Sequence, residues 1–261
     1  MGDAKRKLRA HAAMLADAPG CIIALAKILR RRSNTCRRDQ CSRVSSDEGL
    51  EFPACQACNN NTGHSDLVAA TLSRMWPDGE SDIQKRDVKK LPAALSNNIP
   101  QVMLEMNIGR AGVKLARKHN NIPADAHPLR ADGPLLAPHM ETFAAKLGFA
   151  LHYEVRGAPV PASGGVEPMW FSNLQALNGE IPDILFQMLP PPLTLRQGAK
   201  SAGSQFLYSY ATGKSDHMLY FASFNLSFAV GGITALDRSI YLKKRDDKFP
   251  IFRPGQFRRQ G

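Results

Sequence analysis

Two aromatic-rich runs of matched length, Gln205 to Thr212 and His217 to Phe224, flank the short segment Gly213-Lys214-Ser215-Asp216. Successive side chains of a strand point to opposite faces, so such runs bury one face when paired across a turn. The pattern predicts an antiparallel hairpin and commits the last third of the chain to a sheet. Glu167 to Leu174 and Leu151 to Val155 also read as strands. Leu226 to Val230 adds one more before a turn at Gly231-Gly232, and Pro190-Pro191-Pro192 reads as a linker. Trp170, Phe171, Phe206, Tyr208, Tyr210, Tyr220, Phe221, Phe224 and Phe228 have two readings, a base-stacking platform or the face of a packed sheet. Their alternation favours the packed sheet.

The middle of the chain carries a different period. Leu67, Val68, Leu72, Met75 and Trp76 share one helical face, with Ser65 read as the N-cap. Helices are expected over 81–95, where Pro92 threatens a break, and over 100–119. Residues 120–138 read as connection. A further helix over 139–150 places Met140, Phe143, Ala144 and Leu147 on one side. Ahead of these, residues 4–18 suit a helix stopped by Pro19-Gly20. The expected fold class is α+β: a small N-terminal module over 1–76, a helical middle, and an antiparallel C-terminal region, the last two making up 77–261.

Composition limits the function classes. The 261 residues carry 34 Lys plus Arg against 23 Asp plus Glu, a net charge of +11 that favours a polyanionic partner. Five Cys in a chain of this length do not form a disulfide scaffold. No apolar run approaches the roughly 20 residues of a membrane span, and no signal-peptide pattern opens the chain. The expectation is a soluble cytoplasmic protein with reduced thiols and no membrane partner. The sequence leaves the oligomeric state open.

The sharpest chemical signal is Cys55-x-x-Cys58. Two thiolates at this spacing on a turn (Phe52 to Asn59 read as one) can reach the same tetrahedral Zn²⁺, yet a structural zinc takes four ligands. The other reading is a pair of small core residues. His64 sits just beyond, where it can approach a metal or phosphate or simply occupy a surface turn. His119, His127, His139, His152 and His217 share no ligand spacing and read as structural.

The run Phe52-Pro53-Ala54-Cys55-Gln56-Ala57-Cys58-Asn59, leading into an amphipathic helix, resembles the second zinc knuckle of HNH endonuclease-like proteins. The resemblance covers the N-terminal module and implies a ββα-metal finger. It implies an earlier CxxC for the other two zinc ligands and an Asp/Glu-His pair between the knuckles. That His acts as general base on water, while a divalent metal such as Mg²⁺ is held at the scissile phosphate of DNA. Cys21 takes the place of the first ligand and Asn59 that of the loop-steadying Asn; position 24 is Ala24, not Cys. No His occurs between His11 and His64. The implied metal residues present are therefore Cys21, Cys55 and Cys58, for a zinc site short of one thiolate.

The missing half coincides with an anomalous stretch. Residues 22–48 hold Arg30-Arg31-Arg32, Arg37-Arg38 and Arg43 together with Cys36 and Cys41. With synonymous codons chosen for Ile23 to Ser42 and one base restored before them, the regrouped text reads Y-C-A-S-E-D-P-A-T-S-F-E-H-M-P-P-R-S-M-F. Behind Cys21-Ile22 this supplies C-I-Y-C and then E-H-M-P-P, the family's first knuckle and catalytic pair. That pair would stand where this chain has Asn34 and Thr35. Residues 22–48 accordingly read as a frameshifted stretch between two compensating indels. The competing reading is a genuine basic segment facing phosphate or solvent. The expectation is an HNH endonuclease lineage with no catalytic pair in the chain as written. The alternative is a non-enzymatic zinc-knuckle module that binds nucleic acid or a protein partner.

Overall fold

The alternation in the aromatic runs is what the tertiary structure is built around. A computed structural model describes residues 56–75, 82–120, 128–197, 200–201, 205–213, 216–224, 227–242 and 250–259. The helices ahead of the sheet are α1 (Gln56–Asn61), α2 (Gly63–Ser73), α3 (Asp82–Asn98), α4 (Pro100–Met106), α5 (Gly109–Asn120) and α6 (Leu136–Arg156). There follow β1 (Gly165–Ser172), α7 (Asn173–Leu177), α8 (Asp183–Met188), β2 (Leu193–Thr194), β3 (Arg196–Gln197) and β4 (Lys200–Ser201). The last elements are β5 (Phe206–Thr212), β6 (His217–Phe224), β7 (Phe228–Ala235), α9 (Ser239–Leu242) and a 3₁₀ turn over Gln256–Arg259.

The expected hairpin is β5–β6, with Phe206 opposite Phe224 and Tyr210 opposite Tyr220. It lies inside a five-stranded antiparallel sheet of order β1-β7-β6-β5-β2. One face carries Val166, Trp170, Phe206, Tyr208, Met218, Tyr220, Ala222, Phe224, Phe228 and Val230 toward the main core. The helix α6 lies against this face. Its Phe143 meets Phe224 and Phe228 edge-on, at centroid separations of 5.4 and 6.1 Å, a favourable arrangement of ring quadrupoles. The opposite face shows Met169, Phe171, Leu219, Phe221 and Ile233, packed with Ile181 of the α7–α8 connection and Leu185 of α8. The aromatics are thus sheet-face residues first, as their alternation implies. Pro168 sits within β1, which is tolerated because β1 is an edge strand and Pro has no N–H to give to a ladder.

Helix and sheet approach closely at one point. The Tyr220 hydroxyl donates to the carbonyl of Ala144 at 2.9 Å, deep in the core. A Cβ on Gly148 would come within 2.7 Å of that hydroxyl oxygen, and one on Gly232 within 2.4 Å of the Glu167 carbonyl. Gly231 and Gly232 are therefore not the expected turn. They lie inside β7, where the Tyr220 hydroxyl and the β1 backbone leave no room for a side chain on Gly232, and the Tyr220 carbonyl and Phe221 ring crowd one on Gly231.

Other expectations are corrected. Leu151 to Val155 is not a strand but the last turns of α6. Leu136, Met140, Phe143, Leu147 and Leu151 continue one buried stripe, and Gly157, at φ 70°, ends the helix by donating to the Tyr153 carbonyl. The strand over Glu167 to Leu174 stops at Ser172, whose side chain accepts from the Gln175 N–H and caps α7. The helix over 100–119 is two. Asn107 and Ile108 interrupt it, and Gly109, at φ 64°, donates to the Asn107 side chain at 3.0 Å. Pro92 does not break α3, which runs on to Asn98. Gln56 to Asn59 is helical rather than a turn, because α1 begins there. Ser65 is not an N-cap: α2 starts at Gly63, and Ser65 is buried within it. The expected helix over 4–18 lies outside the described residues.

Candidate functional site

The thiolate pair stands where the described chain begins. Cys58, the third residue of α1, is fully buried and belongs to the main apolar core. Thr62 donates from its hydroxyl to the Cys58 carbonyl at 2.8 Å, so α1 runs almost directly into α2. Asn61 donates to the Phe257 carbonyl at 2.8 Å and ties α1 to the 3₁₀ turn near the chain end. Asn59 is half-buried beside it, and His64, the second residue of α2, is exposed. Cys21, Cys55 and the whole of residues 22–48 lie outside the described residues.

Beneath these positions α2 is fastened to α6 by two polar contacts. Ser65 Oγ and His139 Nδ1 lie 3.1 Å apart in a hydrogen bond. Burial, with a smaller repulsion from His64, holds the His139 pKa below the usual imidazole range, so the ring is neutral at pH 7. Two turns further along α6, Lys146 donates to Asp66 in an ion pair in which each side chain is only 3% exposed. A buried charge of either sign is costly unless paired, which makes these two residues interdependent. The helix α2 is in this way packed onto the long helix α6.

A Ser–His contact can serve nucleophilic chemistry, but Ser65 is 5% exposed and closed to substrate. Among the described residues no carboxylate bonds to the far ring nitrogen of His139. The contact orients two helices. Among the described residues, moreover, no group of three or more His, Cys, Asp or Glu is gathered so as to hold a metal ion. Cys58 is the sole described member of the expected zinc set, and its surroundings are apolar. The described residues thus do not make up a zinc centre, and no chemical step is assigned through one.

Of the remaining histidines, His152 is structural. His152 Nδ1 shares a 2.8 Å hydrogen bond with Thr234 Oγ1 inside the helix–sheet interface. The His217 carbonyl accepts from Arg156 at 3.3 Å. What the sequence reading missed is the pairing of Asp66 with Lys146, 80 positions apart, for which no local signal exists. No helix among the described residues is long and apolar enough to cross a membrane. No family model, curated protein or solved structure matches the chain.

Proposed function

We propose that this chain is a catalytically inactive relative of HNH endonucleases that retains the capacity to bind DNA. The supporting observation is the order of Cys55-x-x-Cys58-Asn59, whose second half lies in α1 and leads into α2, with no His between His11 and His64 to act as base on water. Hydrolysis of a phosphodiester needs an activated water and stabilisation of the charge that develops on phosphate. Neither the His nor its acidic neighbour is present to provide them. What remains is a net charge of +11, which attracts a polyanion at long range.

Plasmid nicking with Mg²⁺ or Mn²⁺ tests the lineage. The chain as written gives no nicks. A version with the reading frame restored across 22–48 nicks DNA, and loses this when the restored His is replaced. A restored version that folds, binds zinc and never cuts would refute the endonuclease lineage. Nicking by the chain as written would refute its inactivity. Salt-sensitive DNA binding without cleavage by any version favours the alternative, a non-enzymatic zinc-knuckle module.

A further inference from the structure

We infer that α5 is the surface through which this chain grips the phosphate backbone of duplex DNA. The inference rests on the DNA-binding reading above and locates it far along the chain from the knuckle. Helix α5 has the sequence GRAGVKLARKHN, with four Lys and Arg and no acidic residue. Arg110, Lys114, Arg117 and Lys118 follow the spacing i, i+4, i+7, i+8, which gathers them on one face. Arg110, Lys114 and Lys118 are exposed, and among the described residues no carboxylate pairs with any of them. That is an unusual omission, since an exposed helix gains from interspersed Glu–Lys pairs. Val113, buried, lies on the same side of the helix between Arg110 and Arg117. Among the described residues α5 makes no extensive contact with another helix or strand. It borders an open groove of about 600 Å³ lined by Asn107, Gly109, Arg110, Val113, Lys114 and Arg117.

The shape suits a polyanion with a regular repeat. From Arg110 to Lys118 the helix rises about 12 Å at 1.5 Å per residue. Phosphates recur every 3.4 Å of axis along one strand of a duplex, so this face spans about three to four of them. An anionic lipid surface would also attract the cations. A helix that lies in a membrane, however, needs a continuous apolar face to sink into it. On α5 the apolar Val113 is turned inward and Leu115 is the one large apolar side chain left exposed, so the charge pattern favours nucleic acid.

The test is binding of the full chain to a fluorescein-labelled 20-base-pair duplex, followed by anisotropy over a range of NaCl concentrations. Arg110→Gln/Lys114→Gln/Lys118→Gln keeps strong helix formers throughout. It should weaken binding at least tenfold, and should lower the slope of log K against log salt by about 3, close to one unit per phosphate contact. Lys89→Gln/Lys90→Gln, on an exposed part of α3, should leave both unchanged. Circular dichroism checks folding, and Lys114→Gln/Lys118→Gln replaces the triple variant should that one fail to fold. If the chain binds DNA and the α5 variants bind it equally well, the surface is wrong while the DNA-binding reading stands. If the chain binds no duplex, both fall. Binding instead to vesicles of phosphatidylcholine and phosphatidylserine then identifies a membrane-facing helix, and binding to neither identifies a solvated one.

Discussion

Acid should weaken this fold through His152 above all. It is 2% exposed at the interface of α6 with the sheet, bonded to Thr234, and burial with the nearby Arg156 pushes its pKa down to about 4. In the unfolded chain the same imidazole titrates near 6.5. Above pH 6.5 both states hold it neutral and the full stability is present. Below that the unfolded state takes up a proton that the folded state refuses, so stability falls by up to about 1.4 kcal/mol per pH unit until pH reaches about 4. Between pH 6.5 and 4.5 the loss from His152 is about 2 kcal/mol, a large share of the stability of an ordinary domain. His139, also depressed by burial, contributes in the same direction, so the assay has to isolate His152. Urea unfolding of the wild type and of His152→Gln, at intervals from pH 7 to 4.5, does so. The variant is less stable at pH 7, yet its further loss on acidification should be smaller by about 2–3 kcal/mol. Parallel pH profiles for the two proteins would refute the reasoning, because they would mean that His152 accepts a proton in the folded state as readily as in the unfolded one.

Breaking the Asp66–Lys146 pair from one side, by Lys146→Met, should cost about 3–5 kcal/mol in urea unfolding. Asp66→Leu/Lys146→Met should recover at least half of that loss, and a double variant no better than the single would show the pair is not the cause. Gly232→Ala should destabilise by about 2–3 kcal/mol, as the new methyl would meet the Glu167 carbonyl, which no side-chain rotation can move aside; a neutral result in thermal unfolding would contradict the close approach of β1 and β7. Phe143→Ala should cost about 3–5 kcal/mol by opening a cavity against Phe224 and Phe228, read as a lowered denaturation midpoint at unchanged m-value.

How far the sequence could be read depended on the reach of the interaction involved. The β5–β6 hairpin was legible because both partners and their turn lie within twenty residues and repeat with period two. The stripe of Met140, Phe143 and Leu147 was legible for the same local reason. The true end of α6 was half-legible. Leu151 carries on the stripe and Gly157 is a stop signal, but a short run ending in Val also suits a strand, and only the sheet beneath α6 selects the helix. Gly231-Gly232 looked like a turn because glycine is permissive. At Gly232 the cause is the close approach of the β1 backbone and the Tyr220 hydroxyl, which is set by the tertiary arrangement.

The candidate site divides along the same line. Spacing made Cys55-x-x-Cys58 conspicuous, but burial of Cys58 in the core and the junction of α1 with the chain end are products of packing. The cations of α5 needed only their helical spacing to be found. That Arg110, Lys114 and Lys118 are exposed, with no carboxylate among the described residues paired to them, became visible only once the chain was folded. Sequence by itself determined the periods, and hence which segments are helix or strand and which face of each seeks burial. Tertiary structure decided which faces meet, whether an ambiguous run bends into helix or sheet, and which charges are paired. Those outcomes depend on contacts between residues far apart in the chain, and no local pattern encodes the distance between them.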